Sequence, residues 1–437
     1  MKRILLLLSA IMMAVCSYAQ PKLSATPLSF GNNFVFLGET VKVPIEVTNT
    51  GTSTIGKITY TLTRDGEVVE SKNKLISIGS GNTASFTISF KADTELRKSP
   101  CTFTITGVNG KDNESEEKTA TGNIITIAEK PVVVPVVEEF TGTWCGYCPV
   151  GFDGMEYAHE TFGDKVALIA IHTGDIMQVN ELNKLANRID GVPSAIMDLA
   201  ASDFYPANSE LEKQIKNQIQ NKIAAASIQV AAAWTNSAKK YINITTKTNF
   251  IFSDDNVNYA IAYALTEDGM HGTGSDWAQA NYLSNNPNYA SSNPFWYKSP
   301  NPVTGIEFNH VGVAAWGVEK GIDGTVPSSV VAGEDLEYTY RADISSNSLI
   351  QDKSKLKVIV MLIDRNSGTI VNAAQTPIEA YNPTGLIGVE DGPAPGISRN
   401  GEEVYDLSGR KVNSKFKLQN SKLGKGIYIV NGKKVLR

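Results

Sequence analysis

The segment EEFTGTWCGYCP at residues 138–149 decides the fold of the central part of this chain. It follows a valine-rich apolar run at 131–137 and precedes a helical pattern at 150–162. Two cysteines separated by two residues close a small disulfide ring only where the backbone turns sharply, and a strand-to-helix junction supplies such a turn. Pro149 falls in the first helical turn, where its missing N–H costs little. The segment therefore predicts a strand, a turn carrying a dithiol or disulfide, and a helix.

The position of this turn predicts different roles for the two cysteines. Free N–H groups and the dipole at the start of a helix stabilise a thiolate. Cys145 is nearer the N-terminus and is expected to be more exposed, so it should be the attacking thiolate. Cys148 should lie deeper and resolve the mixed disulfide.

The pattern around the turn predicts an α/β domain over residues 131–226. Apolar strands at 166–171 and 194–197, with a helical segment at 179–188 between them, extend the β-α-β order. A helix follows at 209–225, with apolar residues spaced by four along one face.

The C-x-x-C pattern alone leaves three interpretations open: a redox pair, half of a zinc site, or a disulfide that only braces the fold. Zinc would need two further ligands. The chain offers Cys101 and four histidines, without a paired ligand spacing. We therefore expect no metal and no cofactor, while exchange and bracing stay open.

The same segment is similar to the active-site strand and turn of thioredoxin-fold oxidoreductases. Trp144 matches the tryptophan that precedes the first cysteine, and Glu139 lies where thioredoxins carry a buried acid that manages the proton of the resolving thiol. Gly191-Val192-Pro193-Ser194 resembles the family segment that faces the dithiol, so a cis Val192-Pro193 bond is predicted. The resemblance implies catalytic roles for Cys145, Cys148, Glu139 and Pro193, and substrate contacts for Trp144, Tyr147 and Val192.

Two features depart from the thioredoxin pattern. Pro193 follows Cys148 by 45 residues, slightly more than usual, and no obvious last strand completes the sheet. Residues 132–376 as a whole resemble the Omp-twenty-eight-related outer membrane proteins. That resemblance implies a location and an architecture rather than a reaction.

All-β domains are predicted on both sides of the α/β domain. Residues 20–130 contain alternating strands with turn residues between them, at the spacing of an immunoglobulin-like β-sandwich. Cys101 opens the last clear strand there and is expected to be a small buried hydrophobe rather than a third redox thiol. Strands return over 227–378 and predict a second β-sandwich.

The loop at 269–306 is rich in aromatic residues and interrupts the second sandwich. A glycan or peptide site is one interpretation, and packing over its own sandwich is the expected one. His271 and His310 lack partners at ligand spacing, so they are expected to be structural. His172 is expected near the edge of the active site, and His159 on the solvated face of its helix.

Both ends of the chain predict export. Residues 1–19 have the charged, apolar and small-residue regions of a secretory signal peptide, and Cys16 leaves open a lipoprotein alternative. Residues 379–400 read as a linker, and 401–437 resemble the sorting domain of type IX secretion cargo. We expect an exported protein at the outer membrane, at the cell surface or secreted, with type IX secretion machinery as a partner.

Charge and composition narrow the function further. The net charge is −5 and no cluster of lysine or arginine stands out, so nucleic acid is not an expected partner. Thiol–disulfide exchange on exported proteins, with an unidentified redox partner, is the favoured function. The alternative is a non-catalytic surface protein that uses the disulfide for stability.

Overall fold

The computed structural model describes residues 21–381 and, in the C-terminal tail, residues 404–406, 427–430 and 433–436. The predicted signal peptide lies outside these residues, as do most of the predicted linker and much of the predicted sorting domain. Among the described residues, no helix is long and apolar enough to cross a bilayer.

The N-terminal domain is a β-sandwich whose strands alternate as the sequence predicts. Along the strand Thr40–Asn49, Val43, Ile45 and Val47 are buried and the residues between them face solvent. The strands are β1 (Ala25–Pro27), β2 (Gly31–Phe36), β3 (Thr40–Asn49), β4 (Ile55–Arg64), β5 (Glu67–Ile78), β6 (Thr83–Lys91), β7 (Lys98–Val108), β8 (Lys111–Asp112) and β9 (Thr119–Ile127). They form two sheets, in the orders β1-β3-β6 and β2-β9-β7-β4-β5, with β8 paired to β7.

Cys101 lies on β7 in the core of this sandwich. Its thiol is free and buried, and burial raises the pKa of the thiol to about 11. Such a thiol carries almost no thiolate at neutral pH and is inert. The interpretation of Cys101 as a small buried hydrophobe is confirmed.

The rest of the described chain is organised around one seven-stranded sheet with the order β12-β10-β11-β16-β15-β18-β19. A separate three-stranded sheet has the order β13-β14-β17. The elements are β10 (Val136–Thr141), α1 (Pro149–Phe162), β11 (Ala167–His172), α2 (Asn180–Asn183), β12 (Ser194–Met197), α3 (Asn208–Asn221), β13 (Ala226–Trp234), β14 (Tyr241–Phe250), β15 (Tyr259–Glu267), α4 (Pro294–Lys298), β16 (Val311–Trp316), β17 (Asp335–Asp343), β18 (Leu356–Asp364) and β19 (Thr369–Pro377). Short 3₁₀ turns span Gly163–Lys165, Lys184–Arg188, Ser275–Trp277 and Pro287–Tyr289.

Strand β10 is the centre of the part that carries the two cysteines. It pairs in parallel with β11 and antiparallel with β12, and all six of its residues are buried. Helices α1 and α3 cover one face of these strands through Met155 and Leu211. The segment from α2 to residue 188 covers the other face through Leu182 and Leu185.

Two predicted element boundaries move for physical reasons. The apolar run at 131–137 enters the sheet only at Val136, because its prolines lack the N–H that a ladder requires. The predicted helix at 209–225 ends at Asn221, and Ile223 packs into the neighbouring β core rather than against the sheet that α3 covers.

The seven-stranded sheet contains strands from both sides of the domain boundary predicted at residue 226. Strand β16 joins β11 in parallel at the pair Ala170 and Val311, and the Ala170 amide donates to the His310 carbonyl at 2.8 Å. The C-terminal strands therefore extend the sheet of the cysteine-bearing part. The predicted C-terminal sandwich has one layer of its own, β13-β14-β17, and shares the other with this sheet.

The C-terminal tail contains three described strands, β20 (Val404–Asp406), β21 (Ile427–Val430) and β22 (Lys433–Leu436). They form an antiparallel sheet in which Val430 pairs with Lys433.

Candidate functional site

A disulfide joins Cys145 and Cys148 in the turn between β10 and α1, with 5.4 Å between the two Cα atoms. Cys148 is the N-cap residue of α1, and Pro149 occupies the first helical turn. The Cys145 amide donates to the Gly142 carbonyl at 3.0 Å, which closes the turn. The predicted disulfide and its strand–turn–helix setting are both present.

Both cysteines of the disulfide are buried, whereas the two aromatic residues beside them are exposed. Cys145 is only 5 % exposed and Cys148 1 % exposed, whereas the flanking Trp144 and Tyr147 are 56 % and 45 % exposed. Cys145 is the more exposed of the two cysteines, as predicted, although both are buried. Trp144 lies at the rim of the site, where its indole N–H donates to the Thr173 carbonyl at 2.7 Å.

Residues 279–282, called the cover below, lie over the disulfide turn. The amide of Ala280 donates to the Thr143 carbonyl at 2.7 Å, and that of Tyr282 donates to the Gly146 carbonyl at 2.8 Å. The side-chain amide of Gln279 donates to the Cys145 carbonyl at 2.9 Å. The cover thus binds the backbone on both sides of Cys145.

The ring of Tyr282 requires glycine between the two cysteines. A Cβ atom on Gly146 would lie 2.3 Å from this ring, which is far inside van der Waals contact. The ring of Tyr147 meets that of Tyr282 edge-on, with 5.6 Å between centroids.

Asp153 on α1 anchors the loop that carries the cover. Its carboxylate accepts from the Trp296 indole N–H and from the Asn293 side-chain amide, both at 2.7 Å. Burial raises the pKa of Asp153, and these two hydrogen bonds oppose the rise. Trp296 also packs edge-on against Phe152. The loop at 269–306 packs over its own sandwich through Met270, Trp277 and Ile306, as expected, and its middle part packs on α1 and the disulfide turn.

Glu139 lies on β10 beneath the start of α1. It is completely buried, and its Oε1 atom has no hydrogen-bond partner. Burial raises the pKa of Glu139 to about 8, and a hydrogen bond with the Thr141 side chain opposes the rise. A Cβ atom on Gly151 would lie 2.2 Å from that oxygen, so the glycine gives the carboxyl group room beside α1.

Glu139 and Cys148 line the same cavity, whose volume is about 20 Å³. This volume accommodates about one water molecule. Thr141, His172 and Gln279 supply the other polar groups nearest the turn, and the remaining lining residues are Phe152, Met155, Glu156, Ala170, Phe308 and Asn309.

A second buried acid on β10 has no counterpart in the sequence analysis. Glu138 points to the opposite face from Glu139, because neighbouring strand residues alternate. Burial, followed by the charge of Asp198, raises the pKa of Glu138 well above its ordinary value. Asp198 in turn pairs with Lys222 at 2.7 Å. The paired glutamates in the sequence were the available signal.

The predicted cis peptide bond between Val192 and Pro193 is present. Strand β12 starts one residue later, where Ser194 pairs with Phe140 of β10. Pro193 therefore lies at the end of the sheet from which the disulfide turn departs. Both Val192 and Pro193 are half-buried.

The four histidines occupy different surroundings. His172 is buried and lines the cavity, while His159 is exposed on α1, as predicted. His271 is exposed and contacts the Gly269 carbonyl. Burial lowers the pKa of His310 to about 4, against the opposing charge of Asp268. Within residues 21–381 no group of three or more His, Cys, Asp or Glu side chains could hold a metal ion.

Replacing Tyr282 with alanine is expected to speed reduction of the disulfide by dithiothreitol. Loss of the ring weakens the cover, and roughly tenfold faster reduction corresponds to a weakening of about 1.4 kcal/mol. The rate is measured by trapping the free thiols with an alkylating reagent at successive times and determining the mass of the protein by mass spectrometry. Phe295→Ala is the matched control, since Phe295 is exposed on the same loop away from the turn. An unchanged rate in Tyr282→Ala would show that the cover does not limit access.

Comparison with known proteins identifies the N-terminal domain. Residues 21–127 match the family model described as CARDB. The immunoglobulin-like sandwich predicted for residues 20–130 is thereby confirmed as a CARDB domain. No curated protein matches the sequence.

Several solved structures are similar to parts of the chain. HBP35 of Porphyromonas gingivalis is 15 % identical, with a TM-score of 0.43, over 70 % of this chain and 98 % of that one. A domain of the outer membrane lipoprotein Omp28 from Porphyromonas gingivalis is 14 % identical, with a TM-score of 0.19. The match covers 37 % of this chain and 93 % of that one. A CARDB domain from Pyrococcus furiosus is 18 % identical, with a TM-score of 0.22, over 25 % and 100 %.

Proposed function

We propose that this protein is a thioredoxin-like thiol–disulfide exchange protein that acts on exported proteins. The observation that carries the proposal is the shared cavity, which is lined both by Cys148 of a helix-capping disulfide and by the buried carboxyl group of Glu139, whose Oε1 atom has no hydrogen-bond partner. A disulfide that only braces a fold needs no such group. Burying a carboxyl group with one oxygen left without a hydrogen bond costs stability, so its presence favours a chemical role.

The arrangement of secondary structure supports the thioredoxin-like part of the proposal. A buried strand leads through the disulfide turn into α1, and the chain returns in parallel along β11. Strand β12 then adds antiparallel to β10 directly after the cis Val192-Pro193 bond. Strands β16, β15, β18 and β19 extend this sheet beyond β11.

The geometry supports the following exchange. An external thiolate attacks the Cys145 sulfur, the bond to Cys148 breaks, and Cys148 leaves as a thiolate. Glu139 is mostly protonated at neutral pH because its pKa is about 8, so it can protonate that thiolate through one water. A second external thiol then releases Cys145 and is oxidised to a disulfide with the first, so the protein gains two electrons and two protons.

In this proposal the substrate is a cysteine of an exported protein, and the electrons come from a separate redox partner. Trp144 and Tyr147 flank the disulfide with exposed aromatic surface, which suits an apolar segment of a substrate. Val192 offers its backbone next to Pro193. The start and end of the sequence support delivery to the outer membrane or cell surface, with the tail recognised by type IX secretion machinery.

The second candidate is a surface protein in which the disulfide only braces the fold. The observation in its favour is the cover, because an enclosed Cys145 sulfur cannot meet a bulky substrate. The two candidates differ in whether the cover opens.

Two measurements on the whole protein separate them. The reduction potential of the Cys145–Cys148 pair is determined by equilibration with glutathione, and turnover is followed by insulin reduction. Exchange predicts a potential above about −300 mV and turnover with dithiothreitol as donor. A potential below that value together with no turnover would leave only the bracing role.

A further inference from the structure

We propose that His172 accepts the proton of the Cys148 thiol and that Asp175 holds its imidazole in position for this step. The proposal rests on the exchange function described above, whose second half requires a base for Cys148. From the sequence, His172 is expected only near the edge of the active site.

The position of His172 follows from the end of strand β11. It pairs in register with Thr141, at the end of β10. Its side chain is 2 % exposed and lines the cavity shared by Glu139 and Cys148. The His172 Nδ1 atom lies 2.7 Å from Oδ2 of Asp175, whose side chain is 3 % exposed.

Asp175 is arranged to stay charged. Burial raises its pKa, but the hydrogen bond and the charge of His172, followed by hydrogen bonds from the amides of Thr143 and Met177, outweigh burial and lower the pKa overall. The Thr143 amide donates to Oδ2 at 2.9 Å, and the Met177 amide to Oδ1 at 2.9 Å. Asp175 therefore links the imidazole to the backbone just before Cys145.

The charged Asp175 determines which imidazole nitrogen can act as a base. A carboxylate only accepts hydrogen bonds, so Nδ1 of His172 carries a proton and donates it toward Asp175. In the neutral ring, Nε2 then has a free lone pair. The geometry is that of a base held by a third group, as in other activated nucleophiles.

The step balances without an additional reagent. Cys148 transfers its thiol proton through the cavity water to Nε2 of His172. The resulting thiolate attacks the Cys145 sulfur of the mixed disulfide, the bond between the two cysteines forms, and the substrate leaves as a thiolate. The imidazolium then returns its proton to solvent or to that thiolate.

Glu139 is not a suitable base for the second half of the exchange, in which the Cys148 thiol must lose its proton. Its pKa of about 8 keeps most of it protonated at neutral pH, which suits proton donation rather than acceptance. The other titratable groups that face the imidazole are Cys148 and Glu156 from α1 and Asp175 from its own loop. Glu156 accepts from the Asn309 side chain at 2.8 Å, and the Phe308 ring packs edge-on against the imidazole.

The test follows the reaction of the reduced full-length Cys101→Ser protein with Ellman's disulfide reagent. Attack by Cys145 releases the first thionitrobenzoate, and attack by Cys148 releases the second. His172→Gln keeps a donor for Asp175 but cannot take up a proton. We expect it to slow the second release by about a hundredfold at neutral pH and to leave the first unchanged. The difference should vanish at alkaline pH, where the thiol ionises without a base.

His159→Gln is the matched control, because it removes an exposed histidine from α1 and should change neither release. An equal second release in His172→Gln and its parent at neutral pH would overturn the proposal. Failure of insulin turnover alone would count against the exchange function and leave this reaction measurable. If His172→Gln does not fold, nitrogen NMR of the unmutated protein decides: the Nε2 resonance should move when the disulfide is reduced, and an unmoved resonance refutes the role.

Discussion

A protein with serine at position 145 is expected to reduce insulin no faster than dithiothreitol does alone. The hydroxyl of serine is not ionised at neutral pH, so the helix N-terminus has no thiolate to stabilise. We expect a loss on the order of a thousandfold or more, as for other nucleophile replacements. The measurement is the initial rate of insulin precipitation.

Two further variants test whether the effect is specific to the attacking cysteine: Cys148→Ser, which lacks the resolving thiol, and Cys101→Ser, which lacks a thiol outside the site. Cys148→Ser keeps the attacking thiolate and lacks the resolving one, so it should accumulate a mixed disulfide with insulin, visible by mass spectrometry. Cys101→Ser is the matched control, since Cys101 is a buried thiol of the N-terminal sandwich and should change neither result. Insulin reduction that persists in Cys145→Ser would show that a residue other than Cys145 is the nucleophile.

Replacing Glu139 with glutamine is expected to slow the opening of the disulfide and to stabilise the protein at alkaline pH. Glutamine fills the same space but cannot donate a proton to Cys148, and loss of general acid catalysis typically costs about a hundredfold in rate. The rate is measured with dithiothreitol at neutral pH. It should fall in the parent as the pH rises above about 8 at constant thiolate concentration, because Glu139 then ionises.

Although Glu139→Gln is expected to slow reduction of the disulfide, it is expected to increase the stability of the folded protein at alkaline pH. In the folded protein the pKa of Glu139 rises from 4.5 to about 8, so the unfolded chain releases this proton first. The folded state is therefore most stable, relative to the unfolded one, below pH 4.5 and loses stability progressively up to about pH 8. Glu139→Gln removes this loss. Since each unit of pKa shift corresponds to about 1.4 kcal/mol, a gain of a few kcal/mol is expected at pH 8.

Glu138→Gln separates the two effects of Glu139→Gln. Glu138 is also buried with a raised pKa, but it faces away from α1 and the cavity. It should likewise stabilise the protein against urea at alkaline pH while leaving the reduction rate unchanged. A reduction rate in Glu139→Gln equal to that of the parent would show that Glu139 does not donate a proton in the reaction.

The sequence by itself determined the features that depend on neighbouring residues. The turn at Cys145 and Cys148, the helix that begins at Pro149 and the cis bond before Pro193 all follow from short segments with strong local preferences. The alternating strands of the N-terminal domain follow for the same reason, because a period of two marks one buried face.

Only the tertiary structure decided how accessible the site is and which groups serve it. Gln279 reaches the Cys145 carbonyl across 134 residues of sequence, and β16 joins the sheet beside β11. Periodicity within a segment carries no information about such distant partners. His172 and Asp175 are only three residues apart, yet their role depends on the cavity that β10, α1 and the cover enclose. Folding therefore turned a local C-x-x-C turn into an enclosed site with two candidate proton carriers.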